Sequence, residues 1–360
     1  MPLPLSKLEK LFSEITCDAL LIETSTDLLY LLGFPISTGT LLLYRDGGYL
    51  IVDGRYFEQC IKKSPFPVLL LQENSLSNLL NELSFISTLG FASQTTSYAR
   101  YQSLLETLKK ATRTIELKPI ENPLVCLRKI KSPHEVHLLK QAAELGSRGY
   151  DFACSILKEG ISEKEVALEL ELFWKQQGAD GLAFDPIIAF GANSSMPHYR
   201  AGTATLKPGD AVLIDIGVTL AHYHSDMTRT LFFGEPDPLL LHLYTVVLQA
   251  QQAALEICRA GITVSAVDEA ARNIIVAAGY GEQFPHSLGH GIGLEVHEFP
   301  LIRNTPAQKH VKLEPGMVIT IEPGIYLADL GGIRIEDSIL IVDDGYENLT
   351  NRSKELLILK

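Results

Sequence analysis

The chain has no block of basic residues, and its formal net charge of −12 over 360 residues removes the positive patch that binding a nucleic acid requires. No uninterrupted apolar run approaches the ~20 residues of a membrane span. The opening MPLPLSKLEKLF lacks the apolar core and cleavage site of an export signal. Cysteine is scarce: Cys17, Cys60, Cys126, Cys154 and Cys258 are odd in number, widely spaced and form no CxxC. That suits reduced thiols better than a disulfide framework. These absences predict a soluble cytoplasmic protein with neither a nucleic acid nor a membrane as partner. HExxH is missing too, so that helical zinc signature is excluded.

What is present is ordinary globular material, with 46% hydrophobic and 21% charged residues. The length is too great for one comfortable core and predicts two domains. Over residues 18–117 short apolar runs alternate with helix-like stretches. ALLI (19–22) and PVLLL (67–71) read as strands, and TLLLYRDGGYLIV (40–52) as a hairpin turning at Asp46-Gly47. RYFEQCIKK, SLSNLLNELSFI and YQSLLETLKK have helical spacing. This predicts an α/β domain without a catalytic constellation, over 1–125. A seam follows at 118–135, and the second domain runs over 126–360. Ser132, Pro133 and Glu135 form a strong helix start. The helix they open is expected to weaken near Gly146 and Gly149.

The second domain repeats itself. KEGISEKEVALELELFWKQQGA (158–179) resembles RAGITVSAVDEAARNIIVAAGY (259–280), and the spacings Gly160 to Gly178 and Gly261 to Gly279 are both eighteen. β-rich sequence follows each copy, so a site between the halves would draw carboxylates from both. In AVLIDIGVTLAHYHSDMTRTLFFG (211–234), Asp215 lies inside one apolar strand and Asp226 opens another. A turn near Leu220 and Ala221 would place the two opposite each other. A carboxylate in a Leu-Ile-Asp-Ile run is costly to bury without a cation. No Lys or Arg is adjacent to Asp215, which leaves a metal ion as the natural partner. Glu322 in MVITIEP and Glu336 in GGIRIED repeat the problem. Arg334, on the face of Glu336, can satisfy one acid but not four.

Between these acids lies HSLGHGIGLEVHEFP (286–300), with His286, His290 and His297. Its glycines argue against a helical histidine pair and for extended chain that something approaches closely. Four carboxylates and an imidazole form an oxygen-rich set suited to two divalent cations. Manganese is the first expectation, with cobalt, iron or zinc compatible.

Asp215, Asp226, His290, Glu322 and Glu336, in this order and setting, resemble the five ligands of the pita-bread dinuclear metallopeptidases. SDMTRT, GHGIGLEVHE, ITIEPGIY and GGIRIED carry the likeness. DLLYLLGF (27–34), VDGRY (52–56) and LRKIKSPHEVHLLKQAA (127–143) extend it to the proline-specific branch. The resemblance implies an α+β pita-bread fold with a pseudo-twofold repeat, preceded by a creatinase-like α/β domain. It implies that Asp226 and Glu336 bridge two metals, with Asp215 on one and His290 and Glu322 on the other. It places His198, His286, His297 and Arg334 in the active site, with His297 polarising the scissile carbonyl and Glu322 relaying a proton. Tyr223, Thr228 and Tyr326 resemble supporting partners, while His222 and His224 read as surface residues.

The implied activity is metal-activated hydroxide attack on the bond before proline, on peptides with proline in second place, by a homodimer. Xaa-Pro aminopeptidase is the first expectation, because neither Arg200 nor Arg303 sits in a motif that reads as a clamp for a free carboxylate. Xaa-Pro dipeptidase (prolidase) shares every residue named and is the alternative. A binding protein that has lost catalysis is a remote third reading, since all five ligands are kept.

Overall fold

The computed structural model describes residues 5–360, which divide into two compact units with the boundary between Arg128 and Lys129. Residues 1–4, part of the argument against an export signal, lie outside the described residues.

The first unit contains α1 (Leu5–Glu14), β1 (Ala19–Ile22), α2 (Ser25–Leu32), β2 (Thr40–Tyr44), β3 (Gly47–Val52), α3 (Gly54–Lys63), β4 (Val68–Leu70), α4 (Ser75–Glu82), β5 (Thr88–Ala92), α5 (Tyr98–Lys109), β6 (Glu116–Ile120) and α6 (Val125–Arg128). The strands form one sheet in the order β4-β3-β2-β1-β5-β6. The unalternated run of β1 follows from burial on both faces. Leu20 and Ile22 feed one core with Leu41 and Leu43, and Ala19 and Leu21 feed another with Leu42 and Leu89. The β2–β3 hairpin forms as read, but Tyr44 pairs with Gly47, so the loop is Arg45-Asp46, one residue early.

The second unit opens with α7 (Pro133–Ile156), whose Ser132 and Glu135 make the capping box. The helix does not weaken at its glycines and runs for 24 residues. A Cβ at Gly149 would strike the Trp174 indole, and one at Gly146 the Ser225 hydroxyl. Close approach, rather than flexibility, therefore accounts for both glycines.

There follow α8 (Glu163–Gln176), β7 (Gly181–Leu182), β8 (Ile187–Phe190), β9 (Ala211–Ile216), β10 (Val218–Leu220), β11 (Tyr223–His224), β12 (Met227–Phe233) and α9 (Pro238–Ile257). Then come α10 (Val264–Ala277), β13 (Gly289–Gly291), β14 (Glu298–Ile302), β15 (Val318–Ile321), β16 (Gly324–Leu327), β17 (Gly331–Arg334), β18 (Asp337–Val342), β19 (Gly345–Asn348) and β20 (Ile358–Leu359). Two sheets dominate, β20-β12-β9-β8 and β14-β13-β15-β18-β19.

The repeat is visible in the backbone. Ser162 caps α8 and Thr263 caps α10, and each helix has 14 residues. Gly160 and Gly261 take φ of +84° and +85°, Gly178 and Gly279 +88° and +91°. A third pair extends the match. Leu206-Lys207-Pro208-Gly209 and Leu313-Glu314-Pro315-Gly316 both turn on a left-handed glycine, φ +95° and +90°. The amide of Gly160 donates to Leu206 O and that of Gly261 to Leu313 O, both at 2.9 Å. Asp215 and Glu322 are each the sixth residue after that third glycine, and Asp226 and Glu336 each stand directly before β12 and β18. Equivalent backbone thus delivers all four acids to the ends of two strand pairs.

Candidate metal centre

The strand pairs fix where the acids meet. β9 pairs with β12 so that Asp215 faces Thr228, and the hairpin turns at Ala221 and His222, both with positive φ. Asp226 is therefore not opposite Asp215 but diagonal to it, on the same face by the two-residue period. The turn sits one residue later than its sequence suggests because these two non-glycine residues adopt the left-handed region. In the other half, β15 pairs with β18 so that Ile321 faces Asp337, leaving Glu322 and Glu336 at the adjoining ends.

His290 is brought in by the glycines around it. A Cβ at Gly289 would run into Thr320 O, and one at Gly291 into Phe299 O, so β13 lies closer to its neighbours than a side chain would allow. The His290 Nδ1–H donates to Gly291 O at 3.0 Å, which leaves Nε2 facing the acids. Nε2 lies 3.3 Å from Glu322 Oε1 and 3.6 Å from Asp226 Oδ2. Ligand atoms of Asp226, His290 and Glu336 all lie within 4.8 Å of one another.

The electrostatics ask for positive charge. Burial, then the charges of Glu336, Asp215 and Glu322, push the Asp226 carboxyl well above the usual range. Burial, then Glu322 and Asp215, do the same to Glu336. Asp215 is also raised by burial, against the opposing pull of Arg334. Glu322 is the exception: burial would raise it, but hydrogen bonding and charge from His290 outweigh that and hold it low. Asp215 Oδ1 is buried without a hydrogen-bond partner. A buried acceptor left open beside mutually repelling carboxylates fits a bound cation.

Arg334 does not satisfy Glu336 directly. Its Nη2 reaches Asp215 Oδ2 at 2.5 Å and its Nη1 donates to Tyr326 Oη at 2.7 Å. Thr228 Oγ1 accepts from Arg334 Nε and donates to Glu336 Oε2 at 2.7 Å, linking the two. Tyr326 Oη is in turn 2.9 Å from His286 Nε2. Tyr223, by contrast, donates to Glu135 Oε1 and does not line the site. His222 is exposed as expected, but His224 is half-buried with its ring against Gly293 O.

One cavity of about 600 Å³ is lined by all nine residues singled out from the sequence: His198, Asp215, Asp226, His286, His290, His297, Glu322, Arg334 and Glu336. His297 stacks edge-on against His290, ring centroids 4.3 Å apart, and burial followed by the His290 charge lowers its pKa. His198 is exposed at the wall. Arg200 lines the cavity, loosely paired with Asp185 at 3.8 Å, whereas exposed Arg303 does not line it.

Sequence reading missed three supports. Glu163, wholly buried at the start of α8, accepts from Phe190 N, Asn193 Nδ2, Tyr199 Oη and Gly202 N, tethering the His198 loop. Its only signal was an extra acid beside a capping box already satisfied by Glu165. Arg272, paired with Asp268, donates to the backbone oxygens of Phe284 and His286. Glu298 lines the cavity and pairs with Lys131 at 3.1 Å, both side chains buried.

Known proteins resemble this chain along most of its length. Residues 137–343 match the model of metallopeptidase family M24, and residues 4–130 that of the creatinase/prolidase N-terminal domain. The chain is 37% identical to an Xaa-Pro dipeptidase of Pyrococcus horikoshii, covering 98% of this chain and 97% of that one. It superposes on the structure of an Xaa-Pro dipeptidase from Bacillus anthracis with a TM-score of 0.92 at 35% identity, over 99% of each chain. An X-Pro aminopeptidase from Thermotoga maritima gives 0.86 at 33%, over 97% of this chain and 100% of that one. The fold is the α+β pita-bread architecture behind a creatinase-like domain, and the chain belongs to metallopeptidase family M24.

Proposed function

We propose that this protein is a dinuclear-metal peptidase that hydrolyses the bond before proline, acting first as an Xaa-Pro dipeptidase. The observation that carries the reading is the convergence of three buried carboxylates, the partly buried Glu322 and His290 on one cavity, with two of the acids pushed far above their usual range and one oxygen unpartnered. Asp226 and Glu336 would be shared between two cations, Asp215 would hold one, and His290 with Glu322 the other. Manganese is the metal proposed, with cobalt, iron or zinc as substitutes. When bound, such ions supply a water acidic enough to ionise near neutral pH and a positive charge for the substrate carbonyl.

The chain's own residues do the rest. His297 donates to the carbonyl oxygen as negative charge develops there. Glu322 carries a proton towards the proline nitrogen, a tertiary amide that must be protonated to leave. His198 and His286, both lining the cavity, orient the substrate, and Arg334 holds Asp215 in place. The supporting evidence for the dipeptidase is twofold. Relatives with this name align along almost their whole length. Arg200 also supplies the cavity wall with a cation for a free carboxylate, which weakens the argument for an aminopeptidase. The likeness to an X-Pro aminopeptidase structure keeps that second reading in play.

The deciding experiment compares kcat/KM for Xaa-Pro, Xaa-Pro-Yaa and a longer peptide of the same start, with manganese present. A strong preference for the dipeptide is expected. Equal or better cleavage of the longer peptides would move the assignment to the aminopeptidase. No cleavage of any of them by the metal-loaded enzyme would remove both. A cytoplasmic homodimer is part of the same proposal.

A further inference from the structure

Arg229 stands three residues after Asp226 in β12 and is 1% exposed. Every donor of its guanidinium is engaged. Nη1 donates to Thr228 O at 2.9 Å and to Glu336 O. Nη2 reaches Asp337 Oδ1 at 2.7 Å, Arg352 O at 2.8 Å and Thr350 O at 3.2 Å, and Nε reaches Ser353 O at 3.3 Å. Asp337, also buried, accepts from Lys354 Nζ at 2.6 Å, Gln251 Nε2 at 2.9 Å and Thr350 Oγ1 at 3.3 Å. Two strands, α9 and the segment 350–354 thus meet on one ion pair.

This pair is expensive. Buried ion pairs are often matched or bettered by apolar residues of similar volume, so packing alone does not call for one. What it does that an apolar pair could not is grip peptide carbonyls at fixed distances. Two of the carbonyls it grips are those of Thr228, two residues after Asp226, and of Glu336 itself. Asp337, next in the chain to Glu336, bonds to Arg229, Gln251, Thr350 and Lys354 and does not line the cavity.

We propose that Arg229, with Asp337 and the segment 350–354, is a positioning device that sets the separation of Asp226 and Glu336 for the two cations. The inference rests on the metal reading above but not on the choice of peptide. Its test reads metal binding without substrate, using cobalt(II) as probe on the full chain. Arg229→Lys keeps the charge and loses the planar fork. It is expected to fold by circular dichroism, yet to bind cobalt(II) about 10–100-fold more weakly, as outer partners of metal ligands typically do. Its cobalt visible spectrum should change as well, because the geometry of the donors changes. Lost stability alone would not alter the spectrum of the ion that binds.

A folded Arg229→Lys with wild-type spectrum and an affinity within about twofold would overturn the proposal. Should Arg229→Lys fail to fold, Lys354→Met loosens the segment from its half-exposed end and is judged on the same two readouts. Absence of cobalt binding by the wild type would overturn the dinuclear reading, and the brace with it, before any variant is made.

Discussion

The two halves of the second unit share a backbone and differ in chemistry. The caps at Ser162 and Thr263, with φ of −88° and −78°, the left-handed glycines and the Leu-x-Pro-Gly turns match closely in conformation. The first half delivers two aspartates, and the second two glutamates, each one methylene longer. Only the second inserts β13, which carries His290, and the connection to β14, which carries His297, between its helix and its acids. The first half spends the same interval on the His198 loop, tied down by Glu163. Elements that fix chain direction are thus duplicated, while residues that choose the reaction lie at strand ends and in connections, where change disturbs least packing.

The largest test of this comparison replaces one shared acid from each half. Asp226→Asn and Glu336→Gln should both abolish turnover and deplete bound metal, a loss beyond the roughly 10–100-fold of an outer partner. Elemental analysis and rate assays on the folded variants check it. If one half's variant kept wild-type turnover at saturating manganese, the halves would not share the metals.

Next in size is the division of labour within the second half. His290→Ala should lose metal. His297→Ala should keep it and lose about a hundredfold or more in kcat, as removal of an oxyanion donor does. Equal depletion in both variants would show His297 to be a ligand.

A smaller effect appears without metal. Asp226 and Glu336 have folded pKa values above their unfolded ones. The folded state therefore binds more protons, and this contribution to stability is present below roughly pH 4 and lost as pH rises beyond it. In chelator, the wild type should lose thermal stability relative to Asp226→Asn from that point upward. Parallel melting curves for the two proteins would refute the repulsion.

The smallest test concerns the frame itself. Gly160→Ala and Gly261→Ala meet nothing within 4 Å, so each should cost only the left-handed strain, about 1–2 kcal/mol. Denaturant midpoints should fall equally in both, and unequal losses would mark a divergence that the dihedrals hide.

The sequence exposed what depends on composition and period. Acids in apolar strands and the duplicated Gly-Ile-Ser/Thr helix starts follow from burial cost and capping, both local properties. Less legible was whatever depends on a partner distant in the chain. The hairpin register slipped by one residue because Ala221 and His222 accept positive φ. The continuity of α7 was hidden because Trp174, not the helix, selects Gly149. Arg334 looked like the neighbour of Glu336, yet its closest acid, Asp215, is 119 residues away. The expectation of an aminopeptidase rested on a missing motif, and Arg200 reaches the cavity wall without one.

The Glu163 tether bears on how a peptide gets in. A loop held at Phe190, Asn193, Tyr199 and Gly202 by one buried carboxylate has both ends and its middle pinned to a helix start. It cannot swing aside as a hinged cover without breaking four bonds at once. Opening there belongs to the rarer, sub-global class of fluctuations. Amide hydrogens at Phe190 and Gly202 should accordingly exchange as slowly as those of the sheet beneath, although the histidine between them stands in solvent. A substrate then meets His198 as a fixed post beside an open doorway, and turnover need not wait for that loop to move.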